Sequence, residues 1–365
     1  MVEFLLDWYK RKFSDPESVT LFLLLVIGSI TLYWVGHIMV PVLVAIVIAY
    51  LLEWPVAKMA AYGLSRTAAT SIVLLAFVSG MTAIMVGLVP NLWQQGSNLI
   101  AEAPDMLEQG KSYVRLLPEQ YPKLVNAEQI QWTLDKVDTW MIDSGQALVS
   151  ASFSTIVDLV ALMIYLILVP LMIFFMLKDK ESLVTSFKRL LPSTRRLITQ
   201  VSNEMNIQIM NYIRGKVIEI VVVGVSTYIV LAFFDMRYAA LFGLLVGLSV
   251  LVPYIGAVLV TIPVVFVGLA QWGATPEFWY AMIAYTVVQG LDGNLLVPLL
   301  FSEAVDVNPV FIVIAVLFFG GLWGFWGVFF AIPLAALVKA VLTAWSSTQI
   351  EDDEDSLGED ELEQG

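Results

Sequence analysis

Two stretches of this chain are too apolar and too long to be simple membrane helices. Residues 238–271 run for 34 residues without a charge, and 309–344 run for 36 with Lys339 as their only charge. At about 1.5 Å per residue each would make a helix of roughly 50 Å, against roughly 30 Å of bilayer hydrocarbon. Each must tilt steeply, leave the membrane, or fold back on itself.

The interruptions favour folding back. "LVPYIGAVLVTIP" (251–263) places Pro253 in the first stretch, where it removes an N–H and clashes with the preceding turn, and Gly256 follows. "GLWGFWGVFFAIP" (321–333) places Gly324 and Gly327 among tryptophans in the second. At an offset of 70, Val258 meets Val328, Ile262 meets Ile332, Pro263 meets Pro333 and Ala270 meets Ala340; Gly256 meets Gly327 and Asp235 meets Asp306 at 71. Two readings stay open. One is a proline kink in a tilted helix. The other is an inverted repeat, a span (217–234) plus a re-entrant hairpin followed by a span (278–300) plus a second hairpin entering from the other side. Non-helical backbone at membrane depth needs protein or a wet cavity around it, and paired broken helices are where secondary transporters hold substrate.

Elsewhere the chain has the same character. It is 59% hydrophobic and 14% charged, with a mean hydropathy of +0.82, far from an ordinary soluble domain. The expected fold class is an all-α polytopic membrane protein with about eight transmembrane segments. Absence of cysteine excludes disulfides and thiolate sites, and a single histidine, His37, excludes clustered His metal sites. No Walker A, GxGxxG, GxSxG or HExxH pattern is present, so neither an enzyme nor a cofactor or metal is expected. The net charge of −13 is dominated by nine carboxylates in "EDDEDSLGEDELEQG" (351–365), which read as a solvating tail. No basic stripe points to nucleic acid.

The expected organisation follows from these shifts. Residues 1–18 make an amphipathic cytoplasmic start. Residues 19–90 make three membrane segments, the second (38–52) short or kinked and ending at "EWP". Residues 91–150, with eight acids against four bases, make an extracytoplasmic helical insert, and 151–177 a fourth membrane segment. Residues 178–216 are a basic cytoplasmic helical segment, 217–345 a membrane half with broken helices, and 346–365 a disordered acidic cytoplasmic tail. With both termini inside, 14 of the 19 Lys and Arg lie in the cytoplasm, as the positive-inside rule favours. The expected home is a bacterial inner (plasma) membrane.

Charges within the bilayer are costly and mark partners or pathways. From 217 to 338 the sole basic residue is Arg237. Glu219 stands one turn beyond Arg214 and Lys216. It is either ion-paired to Lys216 at the cytoplasmic end or part of a pathway. "QGLDGNLLVP" (289–298) sets Gln289 and Asp292 on one helix face, with Asn294 and Pro298 beyond. Asp292 is either an interfacial cap or a gate, ion or substrate contact. Glu53, Asp158 and His37 read as interfacial, and Gly243 and Gly247 as helix-packing residues.

"YIRGKVIEI" (212–220), "LVPYIGAVLVTIP", "QGLDGNLLVPLLF" (289–301), "VDVNP" (305–309) and "GGLWGFWGVFFAIPLAALVK" (320–339) occur in the order seen in the autoinducer-2 exporter family, which includes the PerM-type permeases. The resemblance covers nearly the whole chain, and its motifs are specific as a set. It implies a transporter-like homo-oligomer, a pentamer among the options. Family members are assigned to autoinducer-2 export and, in one branch, to sodium–proton exchange. Asp292, Asn294 and Pro298 match the family's Asn–Pro motif. Asn308 stands where the family often has histidine, which disfavours a titrating imidazole there.

The leading expectation is a bilayer-embedded permease of a small polar solute, an autoinducer-2-like molecule among the candidates, coupled to protons or sodium. Its pathway would be lined by Arg214, Glu219, Pro253, Tyr254, Gly256, Gln289, Asp292, Asn294, Pro298, Gly324 and Gly327. A sodium–proton antiporter and a non-transporting envelope scaffold working through 91–150 are the alternatives.

Overall fold

The computed structural model describes residues 16–35, 38–120, 136, 155–190, 196–301 and 308–341. Among them all regular structure is helical. Six helical stretches are long and apolar enough to cross a bilayer: Val40–Ala61, Arg66–Glu108, Ile198–Phe233, Ile255–Trp272, Pro276–Phe301 and Val310–Phe329. Shorter apolar helices include Ala239–Ser249 and Ala331–Val341. This fits a multi-pass membrane protein. His37, Asp158, Asp306, the N-terminal 15 residues, most of the insert after Gln120 and the acidic tail lie outside what is described of side chains or backbone.

Helix α1 (Pro16–Val35) packs on the second half of the chain, and the rest of the first half is a helix bundle. Helices α2 (Val40–Ala61), α3 (Arg66–Gly87) and α5 (Thr155–Lys178) bury Ala45, Ala49, Leu52, Val56, Ala69, Val73, Ile173 and Leu177 together. Alanines on the α2 face let the three backbones approach closely. One end of the bundle is pinned by Glu53, which accepts from Arg66 at 2.9 Å and from Lys180 at 2.9 Å, while Arg66 Nε donates to the Leu177 carbonyl. Lys180 opens the short helix α6 (Lys180–Leu190). The second segment, expected to be short or kinked, is a 22-residue helix with Pro55 inside it. Between α3 and α5, α4 (Val89–Gln120) carries the start of the insert.

The second half is organised along α7 (Arg196–Phe233), 38 residues and about 57 Å of continuous helix. At its Phe233 end the chain turns through Asp235 (φ 53°) and Tyr238 (φ 61°) into α8 (Ala239–Ser249). That helix runs back along α7 at glycine distance. A methyl added at Gly243 would lie 2.7 Å from Tyr228 Cβ, and one at Gly247 would lie 2.7 Å from the Ile220 carbonyl oxygen. The packing role expected of both glycines holds.

After a break at 250–254, α9 (Ile255–Trp272) returns to the same end. There Gln271 donates to the Asp235 carbonyl and accepts from the Arg237 N–H, both at 2.8 Å. Segment 238–272 is thus a helical hairpin with both feet at the Phe233 end of α7 and its tip beside Lys216. Phe242, Val246, Val250, Val264 and Val267 form its seam, packed with Phe278, Ala281 and Tyr285 of α10 (Pro276–Leu291).

The second apolar stretch is also a hairpin. Helix α12 (Pro309–Phe329) breaks at Gly324 (φ 59°, ψ −135°), a conformation open to glycine and strained for any L residue. Beyond the break the chain continues into α13 (Ala331–Val341). Ile312, Ala315 and Val316 face Ala331, Val328, Ile332 and Ala335, an antiparallel seam. The return arm lies on the opposite half of α7, with Leu337 and Val341 against Ile198, Val201 and Met205. The two hairpins therefore run along one helix from opposite ends.

Candidate functional site

The hairpin tips meet α7 within two turns of each other, and each is bound there by a side chain. Ser249 and Val250 are the last residues before the first break. The Pro253 ring supplies no N–H to the Ser249 carbonyl, and the chain leaves the helix before anything can cap the Val250 carbonyl. Lys216 Nζ donates to that Val250 oxygen at 2.8 Å. In the second hairpin the orphan is the Phe329 carbonyl, whose helical partner four residues on would be Pro333, again without an N–H. The Tyr212 hydroxyl donates to it at 2.6 Å. Tyr212 and Lys216 are four residues apart on one face of α7, so one helix turn latches both tips.

Lys216 sits in a buried charge network. Its Nζ lies 2.8 Å from Glu219 Oε2, with both side chains almost wholly buried, and 5.3 Å from the centre of the Phe301 ring. Phe301 ends α11 (Val297–Phe301) and packs on Gly215 and Tyr212. Asp292 lies within electrostatic reach of both Lys216 and Glu219. Its Oδ1 is buried with no hydrogen-bond partner, as is Trp323 Nε1 at the second break. Asp292 opens a π-helical turn, Asp292–Leu296, in which the Val297 N–H reaches back five residues to the Asp292 carbonyl.

The expected site residues divide accordingly. Glu219, Asp292, Pro253, Tyr254, Gly256, Gly324 and Gly327 all belong to the tips or the charge network. Gly256 is pressed against the Ser249 carbonyl and Gly327 against the Phe319 carbonyl, so each closes its own turn where no side chain fits. Tyr254 holds a left-handed backbone (φ 62°) and stays exposed. Gln289 faces α9 instead: its Nε2 donates to the Tyr285 hydroxyl at 2.7 Å, which lies 2.8 Å from Thr261 Oγ1, which donates to the Ala257 carbonyl. Asn294 donates to the Gly290 carbonyl within its own helix, and Pro298 is exposed.

Arg214 lies apart from this network, in a separate cleft of about 230 Å³ with Leu51, Trp54, Val217 and Ile218. Two residues along a helix is about 200° of rotation, so Arg214 and Lys216 cannot serve the same face. Tyr212, Lys216 and Phe301 were not among the expected site residues. The spacing Tyr212, Lys216, Glu219 at i, i+4, i+7 in an apolar helix is the signal that marks them.

A second polar place lies at the Phe233 end of α7. There α4 docks on the first hairpin through Gln95, which accepts from the Leu241 N–H, and through Glu102, 3.3 Å from Arg237. A cleft of about 360 Å³ opens between them, lined by Asn91, Gln95, Tyr228, Asp235 and Tyr238 among others.

Comparison with known proteins gives this arrangement its class. The chain is 49% identical over 350 residues to PerM of Escherichia coli (strain K12), named as a permease, covering 96% of this chain and 99% of that protein. It is 24% identical over 322 residues to "AI-2 transport protein TqsA" of the same strain, covering 87% and 89%. The family model described as "AI-2E family transporter" matches residues 22–347. A chain matched over so much of its length, hairpins and charge network included, belongs to the AI-2E transporter family.

Proposed function

We propose that this protein is a secondary permease for a small polar solute, bound where the two hairpin tips meet Tyr212, Lys216 and Glu219. The convergence of both broken elements on one buried charge network carries the reading. Broken helices offer free backbone groups and helix-end dipoles to a solute in an otherwise apolar setting. The network holds two carboxylates against one ammonium, and Asp292 Oδ1 is an acceptor without a donor. Such a site suits a solute rich in hydrogen-bond donors, and an autoinducer-2-like molecule, the cargo in the name of TqsA, has that character.

The two hairpins form an inverted repeat in this reading, re-entering the bilayer of the inner membrane from opposite faces, with both termini in the cytoplasm. Alternating access follows from alternate release of the two latches. Freeing the Val250 carbonyl from Lys216 opens one side, and freeing the Phe329 carbonyl from Tyr212 opens the other. No observation favours the antiporter or scaffold alternatives over this one.

Asp292→Asn tests the reading. It keeps size and removes the charge. Uptake and efflux of an autoinducer-2 preparation in everted vesicles should fall at least about tenfold, the effect of roughly 1.4 kcal/mol at the site, while the protein keeps its elution volume in detergent. Unchanged transport overturns the site.

A further inference from the structure

We infer that the space around Lys216 Nζ is a monovalent-cation cradle that this chain fills with its own tethered ammonium. The inference rests on the permease reading of the same site and goes beyond it by naming what the cradle is built to hold. Three groups around the nitrogen are cation ligands: the Val250 carbonyl oxygen at 2.8 Å, Glu219 Oε2 at 2.8 Å and the face of Phe301 at 5.3 Å, with Asp292 in electrostatic reach. Carbonyls exposed where a membrane helix unwinds, at the negative end of its dipole, are the groups that coordinate small cations in broken-helix transporters. The Val250 carbonyl is such a group, placed by the break at Pro253.

The donor set selects the charge. The Glu219 carboxylate, one carbonyl and a ring fall short of the oxygen count of a divalent site. Among the described residues no group of three or more His, Cys, Asp or Glu could hold a metal ion. A covalently held ammonium cannot diffuse away, so it stays paired with Glu219 and leaves Asp292 for the solute. The consequence is a chain whose first hairpin is closed without any dissociable sodium ion, and whose cradle accepts one once the lysine is shortened.

Thermal unfolding of the full-length protein in detergent, followed by tryptophan fluorescence in sodium chloride against choline chloride at equal ionic strength, tests this. Wild type should show no sodium-specific shift. Lys216→Ala should melt lower in choline and gain about 5 °C, saturably, with sodium or methylammonium, the size expected for a ligand in large excess over its dissociation constant. Lys216→Gln, which keeps more of the packing, should show the same selectivity if the alanine variant does not fold. Adding Glu219→Gln should abolish the gain. A sodium-specific shift in wild type, or no gain in either lysine variant, overturns the inference. The readout is binding alone, so it stands or falls apart from transport, and unchanged transport in Asp292→Asn with the sodium gain intact would count only against the permease reading.

Discussion

The two hairpins share a plan and differ in how their tips are held. In both, a residue with positive φ makes the break, Tyr254 in the first and Gly324 in the second, 70 residues apart. In both, a glycine just beyond it, Gly256 or Gly327, lies against a carbonyl seven or eight residues back. In both, an orphan carbonyl created near a proline is capped from α7. The caps are where they part: a buried ammonium within a charge network for the first hairpin, a neutral tyrosine hydroxyl for the second. The backbone differs too, since a tyrosine at φ 62°, ψ −49° stores about 1–3 kcal/mol that a glycine does not. The first tip is strained and electrostatically clamped, and the second is relaxed and lightly held. In the permease reading proposed above, a difference of that kind suits one gate that answers to charge and one that follows.

The shared part of the plan is the easiest to break. Gly256→Val and Gly327→Val each drive a side chain into backbone that cannot yield, and both should cost more than about 4 kcal/mol. Loss of monodisperse protein on size exclusion is expected for each. Survival of one alone would mean that the two turns are not equivalent.

The caps come next. Lys216→Ala leaves Glu219 buried and unpaired and should cost about 3–5 kcal/mol, whereas Tyr212→Phe removes one neutral hydrogen bond and should cost about 1 kcal/mol. The chain has no cysteine, so single cysteines report directly on the tips. With an impermeant maleimide, Tyr212→Phe should raise labelling of Gly321→Cys roughly fivefold, the population change that 1 kcal/mol permits, and leave Ile255→Cys unchanged. Equal effects of both caps on both tips would erase the distinction between them.

The smallest effects test the strain. Tyr254→Gly should stabilise by about 1 kcal/mol in thermal melts, and Gly324→Ala should destabilise by about 1–3 kcal/mol. The same sign for both would show that the first tip is not loaded.

Much of this was legible in the residues, and the limits have physical causes. Apolar runs longer than a bilayer is thick, broken by Pro253 and Gly324, favour a fold-back over a single straight span. At the breaks themselves the sequence match is partial: Gly256 meets Gly327 at an offset of 71, while at 70 Tyr254 meets Gly324 and Pro253 meets Trp323. The partners of the tips were not legible, because an orphan carbonyl belongs to the backbone and carries no letter. Val250 and Phe329 look like any other apolar residues. Lys216 was visible only as the bland partner of Glu219, since its second bond, to the Val250 oxygen, depends on how α8 lies against α7. Arg214 stands close to Lys216 in sequence and on another face of α7, a separation that only the helical phase reveals. Phe301 was hidden for a further reason, the π turn that precedes it.

That turn sets the phase of everything after it. One extra residue in a helix rotates the downstream face by about 100°, and π turns recur at functional positions for this reason. Asp292–Leu296 therefore acts as an indexing step between two arms of one span: upstream, Tyr285 and Gln289 read the first hairpin, and downstream, Phe301 comes to rest on Gly215 and Lys216. Should the turn relax to ordinary α-helix, the arm beyond it would click round by one position and carry the aromatic lid off the ammonium. A single span would then report the state of the cradle to both of its ends.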